Sequence, residues 1–117
     1  MDDQPAELGP EDAKLVTLAR ATRARTRASE GAAVRDLDGR TYAAASVRLA
    51  HLELSALEVC VAMAISSGST GLEAAVVLGD GDSVDVAAAT DFAGAGVPVL
   101  VGDPQGNIHS RQATRTE

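Results

Sequence analysis

The sequence predicts an α/β domain of three layers, with helices on both sides of a mixed sheet. Three observations carry that prediction. Apolar patterning orders the chain as helix, two strands, helix, strand, helix, strand. Asp36-Leu37-Asp38-Gly39 reads as a hairpin turn, which makes the first two strands antiparallel. Residues 72 to 78, LEAAVVL, form a near-continuous apolar run rather than an alternating one, as expected of a central strand covered on both faces.

Each element has a local justification. Residues 1–9 are acidic and carry Pro5 and Gly9, a composition expected to leave a disordered lead-in. Pro10, Glu11 and Asp12 open the first helix, because proline suits a first turn and carboxylates suit the N-terminal dipole. It is expected over residues 11 to about 27, with Leu15, Leu18, Ala19 and Thr22 facing inward and arginines gathered at the C-terminal end. Residues 31–35 and 40–47 are the hairpin strands, and Gly39 supplies the positive φ of the turn. The second helix is expected over 52–66, on the stripe Leu54, Leu57, Val61, Ala64 and Ile65, with Ser66-Ser67-Gly68 as its stop. Gly79-Asp80-Gly81 is a tight loop. Residues 82–94 read as a short helix capped by Asp82 or Ser83 and stopped by Gly94 or Gly96. Residues 97–101 form another strand, and Asp103 to Asn107 a turn. The domain is thus expected over 10–108, and 109–117 as a loose polar tail.

Composition narrows the functions. One Phe, one Tyr and no Trp in 117 residues leave a core mostly of alanine and valine, which demands close approach of helices and sheet. So few aromatics argue against a base-stacking surface, and a net charge of -7 disfavours nucleic acid and anionic membranes. The basic residues Lys14, Arg20, Arg23, Arg25, Arg27 and Arg35 read as a solvated helix face. No apolar run approaches the ~20 residues of a membrane span, no secretory signal is evident, and the lone Cys60 cannot form an internal disulfide. A cytoplasmic protein is expected. The acidic group Asp80, Asp82 and Asp85 fails the calcium-loop spacing, which wants glycine where Asp85 stands. Neither glycine pair carries a phosphate-loop pattern.

Residues 31–68 hold a sharper signal: GAAVRDLDGRTYAAASV, a short connector, then SALEVCVAMAISSG. This resembles the core of the cytidine deaminase family, where a Gly-Ala-Ala strand, a DGR turn and an extended strand lead into a helix that opens Cys-Ala-Glu. The order of elements matches that family as well. The resemblance implies a three-layer α-β-α cytidine deaminase-like fold. In such enzymes a zinc ion activates water and a glutamate moves protons. Counted back from Gly68, the family's zinc cysteine falls on Ser55 and its catalytic glutamate on Leu57. Its ribose-holding segment falls on Ser46-Val47-Arg48-Leu49, its base-stacking aromatic on Ala28, and its other two cysteines near Asp82 and Asp85. Cys60 is the only cysteine, so no CxxC exists.

The resemblance with these losses implies a catalytically inactive member without zinc, acting as a binding or interaction scaffold. Leu57 facing the old active site would make its pocket apolar. The resemblance further implies a homo-oligomer, dimer or tetramer, or else a protein partner. An alternative register stays open. His51-Leu52-Glu53 matches His-x-Glu literally, four residues earlier. Zinc would then sit on His51, Asp82 and Asp85, with Glu53 as proton shuttle, in a divergent metal-dependent nucleoside deaminase.

Overall fold

The computed structural model describes residues 8–116. Residues 1–7 of the expected lead-in, and Glu117, lie outside the described residues. The elements are α1 Pro10–Thr26, β1 Gly31–Asp36, β2 Thr41–Ala45, β3 Val47–Leu49, β4 Leu52–Leu54, α2 Ala56–Ser66, β5 Leu72–Leu78, α3 Ala87–Ala93, β6 Pro98–Gly102 and β7 Ile108–Ala113.

Five strands form one sheet in the order β2-β1-β5-β6-β7. Only the β5/β6 pair is parallel; β1/β2, β1/β5 and β6/β7 are antiparallel. The expected mixed sheet is therefore present, with β5 beside both β1 and β6. Alternation along the strands feeds two cores. Ala33, Ala74, Val76, Leu78 and Leu100 face α1, where Leu15 and Ala19 pack on them. Ala32, Val34, Ala75, Val77, Val99 and Val101 face the other way, under α2 and α3. Both faces of β5 are covered, which explains its apolar run.

The turn after β1 is pinned by a buried carboxylate. Asp36 Oδ1 accepts from the Asp38 and Arg40 N–H groups, both at 2.9 Å. Oδ2 accepts from the Ser69 hydroxyl and, at 3.4 Å, from the Tyr42 hydroxyl. The turn is thereby tied to the loop between α2 and β5.

Four expectations are corrected. The chain from 52 to 55 is not helical: Val47–Leu49 and Leu52–Leu54 pair as a separate hairpin, Arg48 opposite Glu53. The physical cause lies at Ser55. Its hydroxyl accepts from the Glu58 N–H at 3.1 Å while Glu58 Oε1 accepts from the Ser55 N–H at 2.8 Å, a reciprocal cap that starts α2 at Ala56. The inner stripe of α2 shifts accordingly to Ala56, Leu57, Cys60, Val61 and Ala64, and Ile65 is exposed.

The third helix begins at Ala87, and neither Asp82 nor Ser83 caps it. The segment before it is tied to β7, where the Gln112 amide accepts from Val84 N–H at 2.7 Å and donates to Val84 carbonyl at 3.0 Å. The tail is not loose either. Ile108–Ala113 is an edge strand on β6, and buried Thr114 donates to the Gly94 carbonyl at 2.6 Å. At the other end Leu8 packs on the α1-side core, and the Gly9 carbonyl accepts from Ala13 N–H at 3.0 Å, so the ordered domain starts before residue 10.

Candidate functional site

A cleft of about 340 Å³ opens where the α1–β1 connector, the end of β2, the β3–β4 hairpin and the head of α2 meet. Ser46, Arg48, Glu53, Ser55 and Asp85, all singled out by the sequence, line it together with Ser29, Glu30 and Glu58. Each is placed by its element. Ser46 follows β2, and its Oγ accepts from the Glu30 N–H and lies 3.2 Å from Ser29 Oγ. Arg48 and Glu53 stand opposite each other on the hairpin, 3.3 Å apart, and their side chains are 84 % and 68 % exposed. A pair so exposed contributes about 0–1 kcal/mol and orders the hairpin weakly. Ser55 is committed to capping α2. Asp85 reaches the cleft from the loop before α3 while its Oδ1 accepts from Ala87 N–H at 2.9 Å.

The lining is polar and acidic. Four carboxylates, Glu30, Glu53, Glu58 and Asp85, face one guanidinium, Arg48. A field of that sign repels phosphate-bearing ligands. The expected apolar pocket is thus corrected. Leu57 does not line the cleft; it is 1 % exposed within the core between α2 and the sheet.

The zinc implied by the resemblance can be tested against these donors. A structural or catalytic zinc wants at least three nitrogen, sulfur or carboxylate ligands converging on one point. Ser55 offers a hydroxyl already engaged with Glu58, and Leu57 offers none. Cys60 is buried in the core, where desolvation pushes its thiol up to about 12, so it supplies no thiolate. The alternative set fares no better. His51 lies in the exposed turn between β3 and β4, not at a helix start, and Asp82 stands on the exposed loop after β5. Neither lines the cleft that holds Glu53 and Asp85. Among the described residues no group of three or more His, Cys, Asp or Glu side chains is arranged to hold a metal ion. The residues present do not fit zinc.

Three cleft residues, Ser29, Glu30 and Glu58, escaped sequence reasoning. Glu58 had a readable signal, since Ser55-x-x-Glu58 is a capping box. Glu30 had none, because its partner, the Ala56 N–H, lies 26 residues away. Ala28, the expected place of the stacking aromatic, is half-buried before β1 and outside the lining.

The comparisons with known proteins bear on this geometry. A family model described as cytidine deaminase-like matches residues 8–106. No curated protein sequence matches the chain. A cytidine deaminase from Burkholderia pseudomallei superposes with a TM-score of 0.75, over 87 % of this chain and 91 % of that one, at 19 % identity. A cytidine deaminase from Mycobacterium leprae gives 0.68, over 87 % and 92 %, at 20 % identity. Likeness at such identities establishes the fold. No helix among the described residues is long and apolar enough to cross a membrane.

Proposed function

The chain belongs to the cytidine deaminase-like family, and we propose that it is a member without deaminase catalysis, acting as a binding scaffold. One observation carries this reading. At the head of α2, where the resemblance calls for a metal ligand and a proton shuttle, Ser55 caps the helix and Leu57 packs into the core. A hydroxyl tied to its own helix and a buried aliphatic chain can neither activate water nor move a proton.

The partner in this proposal is a second copy of the chain. Helix α2 is apolar on both faces, with Glu58 its only charged residue. A helix apolar all round belongs inside a core or an interface. Val59, Ala62, Met63 and Ser66 recur at helical spacing on the outer side and border a shallow groove with Leu54 and Ser67. Leu49 and Leu52, exposed on the neighbouring hairpin, extend the apolar surface. The cellular location that goes with this reading is the cytoplasm.

The experiment is metal analysis of the purified protein with cytidine and deoxycytidine assays and light scattering. We expect sub-stoichiometric zinc, no turnover, and a dimer or tetramer that Met63→Lys dissociates. One zinc per chain with turnover abolished in Glu53→Ala would replace this reading with a metal-dependent deaminase. A monomer at high concentration would remove the second copy.

A further inference from the structure

The head of α2 finds no fitting metal, yet it is not left open. Two carboxylates of the chain itself meet it. The Glu58 contact belongs to the helix's own capping box and is local chemistry. The other is tertiary: Glu30 Oε1 accepts from the Ala56 N–H at 3.2 Å.

Glu30 is a junction of four segments. Its backbone N–H donates to Ser46 Oγ at 3.2 Å, and its carbonyl accepts from Ser46 N–H at 3.1 Å. Its stem lies against Gly79 at the end of β5, where an added Cβ would come within 3.2 Å of Glu30 Cγ. One residue therefore touches the connector before β1, the residue after β2, the head of α2 and the end of β5. Three of these segments line the cleft, and the fourth begins the loop that leads to Asp85. The electrostatics agree. A helix start carries unpaired N–H groups and partial positive charge, and a carboxylate answers both.

We propose that Glu30 is a positioning residue that anchors the head of α2 to the sheet end, so that this cleft assembles without a metal ion. The inference rests on the reading of the chain as a member without metal chemistry. It deepens that reading, because it names what holds the emptied site in shape. The Glu30 carboxylate satisfies an N–H at the helix start and joins that start to the sheet end with the chain's own groups.

The test uses the full chain. The parent and the Glu30→Ala, Glu30→Gln and Glu53→Gln variants are compared by residue-resolved amide hydrogen exchange. Each is also melted with and without a chelator and assayed for zinc. In Glu30→Ala the Ala56 amide is expected to exchange about tenfold faster, relative to the slowest core amides, the size of one charge-assisted hydrogen bond. Glu30→Gln keeps an acceptor oxygen in place and is expected to restore most of the protection. Glu53→Gln, a neighbour in the same cleft without that bond, is expected to leave Ala56 unchanged. A role limited to general packing would slow or speed all these amides together. If Glu30→Ala does not fold, Glu30→Asp, which withdraws the carboxylate by one methylene, is read in the same way. The parent should melt at the same temperature with chelator. Unchanged exchange at Ala56 would overturn the role of Glu30 and leave the metal-free reading standing. Stoichiometric zinc with chelator-sensitive melting would overturn both.

Discussion

Replacing Leu57 discriminates most sharply between a relic of an active site and a rebuilt core. The side chain is 1 % exposed and packs among Ala32, Val34, Ala56, Cys60, Val61 and their neighbours. Leu57→Ala removes its apolar contacts and leaves a cavity, a change that costs about 2–5 kcal/mol depending on how far the surroundings collapse. The neighbours here are short alanines and valines held on strands and a helix. They cannot reach into the space, so about 3–4 kcal/mol is expected. Against a total of about 5–15 kcal/mol that is a large fraction. With a urea m-value of about 2 kcal/mol/M, the unfolding midpoint should fall by about 1.5–2 M. Leu57→Glu, which puts at this position the glutamate that the resemblance calls for, should be worse. It loses the same contacts and brings a carboxyl with no partner into an apolar core. That group would stay protonated, with its folded pKa above the unfolded value. The variant's relative stability should accordingly be greatest at low pH and fall as pH rises through the folded value. Urea unfolding at pH 5 and pH 8 reads both effects. A Leu57→Glu protein as stable as the parent at pH 8 would mean that this side chain reaches the cleft, and the argument for a rebuilt core would fail.

Two further titrations follow from the buried groups. The Ser69 hydroxyl, with the Arg40 and Asp38 N–H groups, holds the Asp36 carboxyl below its ordinary range against the opposing effect of desolvation. Its stabilisation is therefore present above the unfolded value of about 4 and lost as pH falls through the lower folded value. The stability gap between parent and Asp36→Asn should be widest near neutrality and close in acid; a gap independent of pH would sink the idea. Cys60, pushed up to about 12 by burial, should resist thiol reagents at pH 8 in the native protein and react on addition of urea. Its contribution is present below the unfolded value of about 8.5 and is lost as pH rises towards about 12, so Cys60→Ala should flatten alkaline unfolding; rapid labelling of the native thiol would contradict this.

The long elements were legible because their signals are local. Helix α1 announces itself by Pro10 and its acidic first turn, though of its expected inner stripe Leu15, Ala19 and Thr22 are buried and Leu18 is exposed; β5 by its apolar run; the first hairpin by Asp36 to Gly39. What escaped was set by distant partners or by segments too short to show a period. β3 and β4 have three residues each, short of the about four over which alternation reads as a strand. The start of α3 depends on Gln112, 28 residues away from Val84. Strand β7, IHSRQA, is an edge strand with Ile108 as its one large apolar residue, so it carries little apolar signal. At the cleft, Ser46, Arg48, Glu53, Ser55 and Asp85 were found through the resemblance and do converge. His51 and Asp82 do not join them, because the hairpin replaces the helical turn that would have carried His51 into the site.

The residues that carry the resemblance belong to the frame of the fold rather than to the cleft. Gly31 admits no side chain, since a Cβ there would collide with the Ala19 carbonyl oxygen and lie 2.6 Å from Arg23 Cβ. That contact sets α1 on β1. Asp36 closes the turn and reaches Ser69, fastening the far end of the same strand to the end of α2. Both devices sit on β1, and the residues recognised in GAAVRDLDGR are largely those that perform them. None of them lines the cleft. Ser55 and Leu57 serve the frame by other means, one as a cap and one as core packing. A glutamate at 57 would therefore disturb the frame, whereas Arg48 and Glu53 stand exposed at the rim of the cleft. Substitutions at Arg48 or Glu53, which share only an exposed ion pair, should cost no more than about 1 kcal/mol of stability. A loss of several kcal/mol at either would show that the cleft rim belongs to the frame after all.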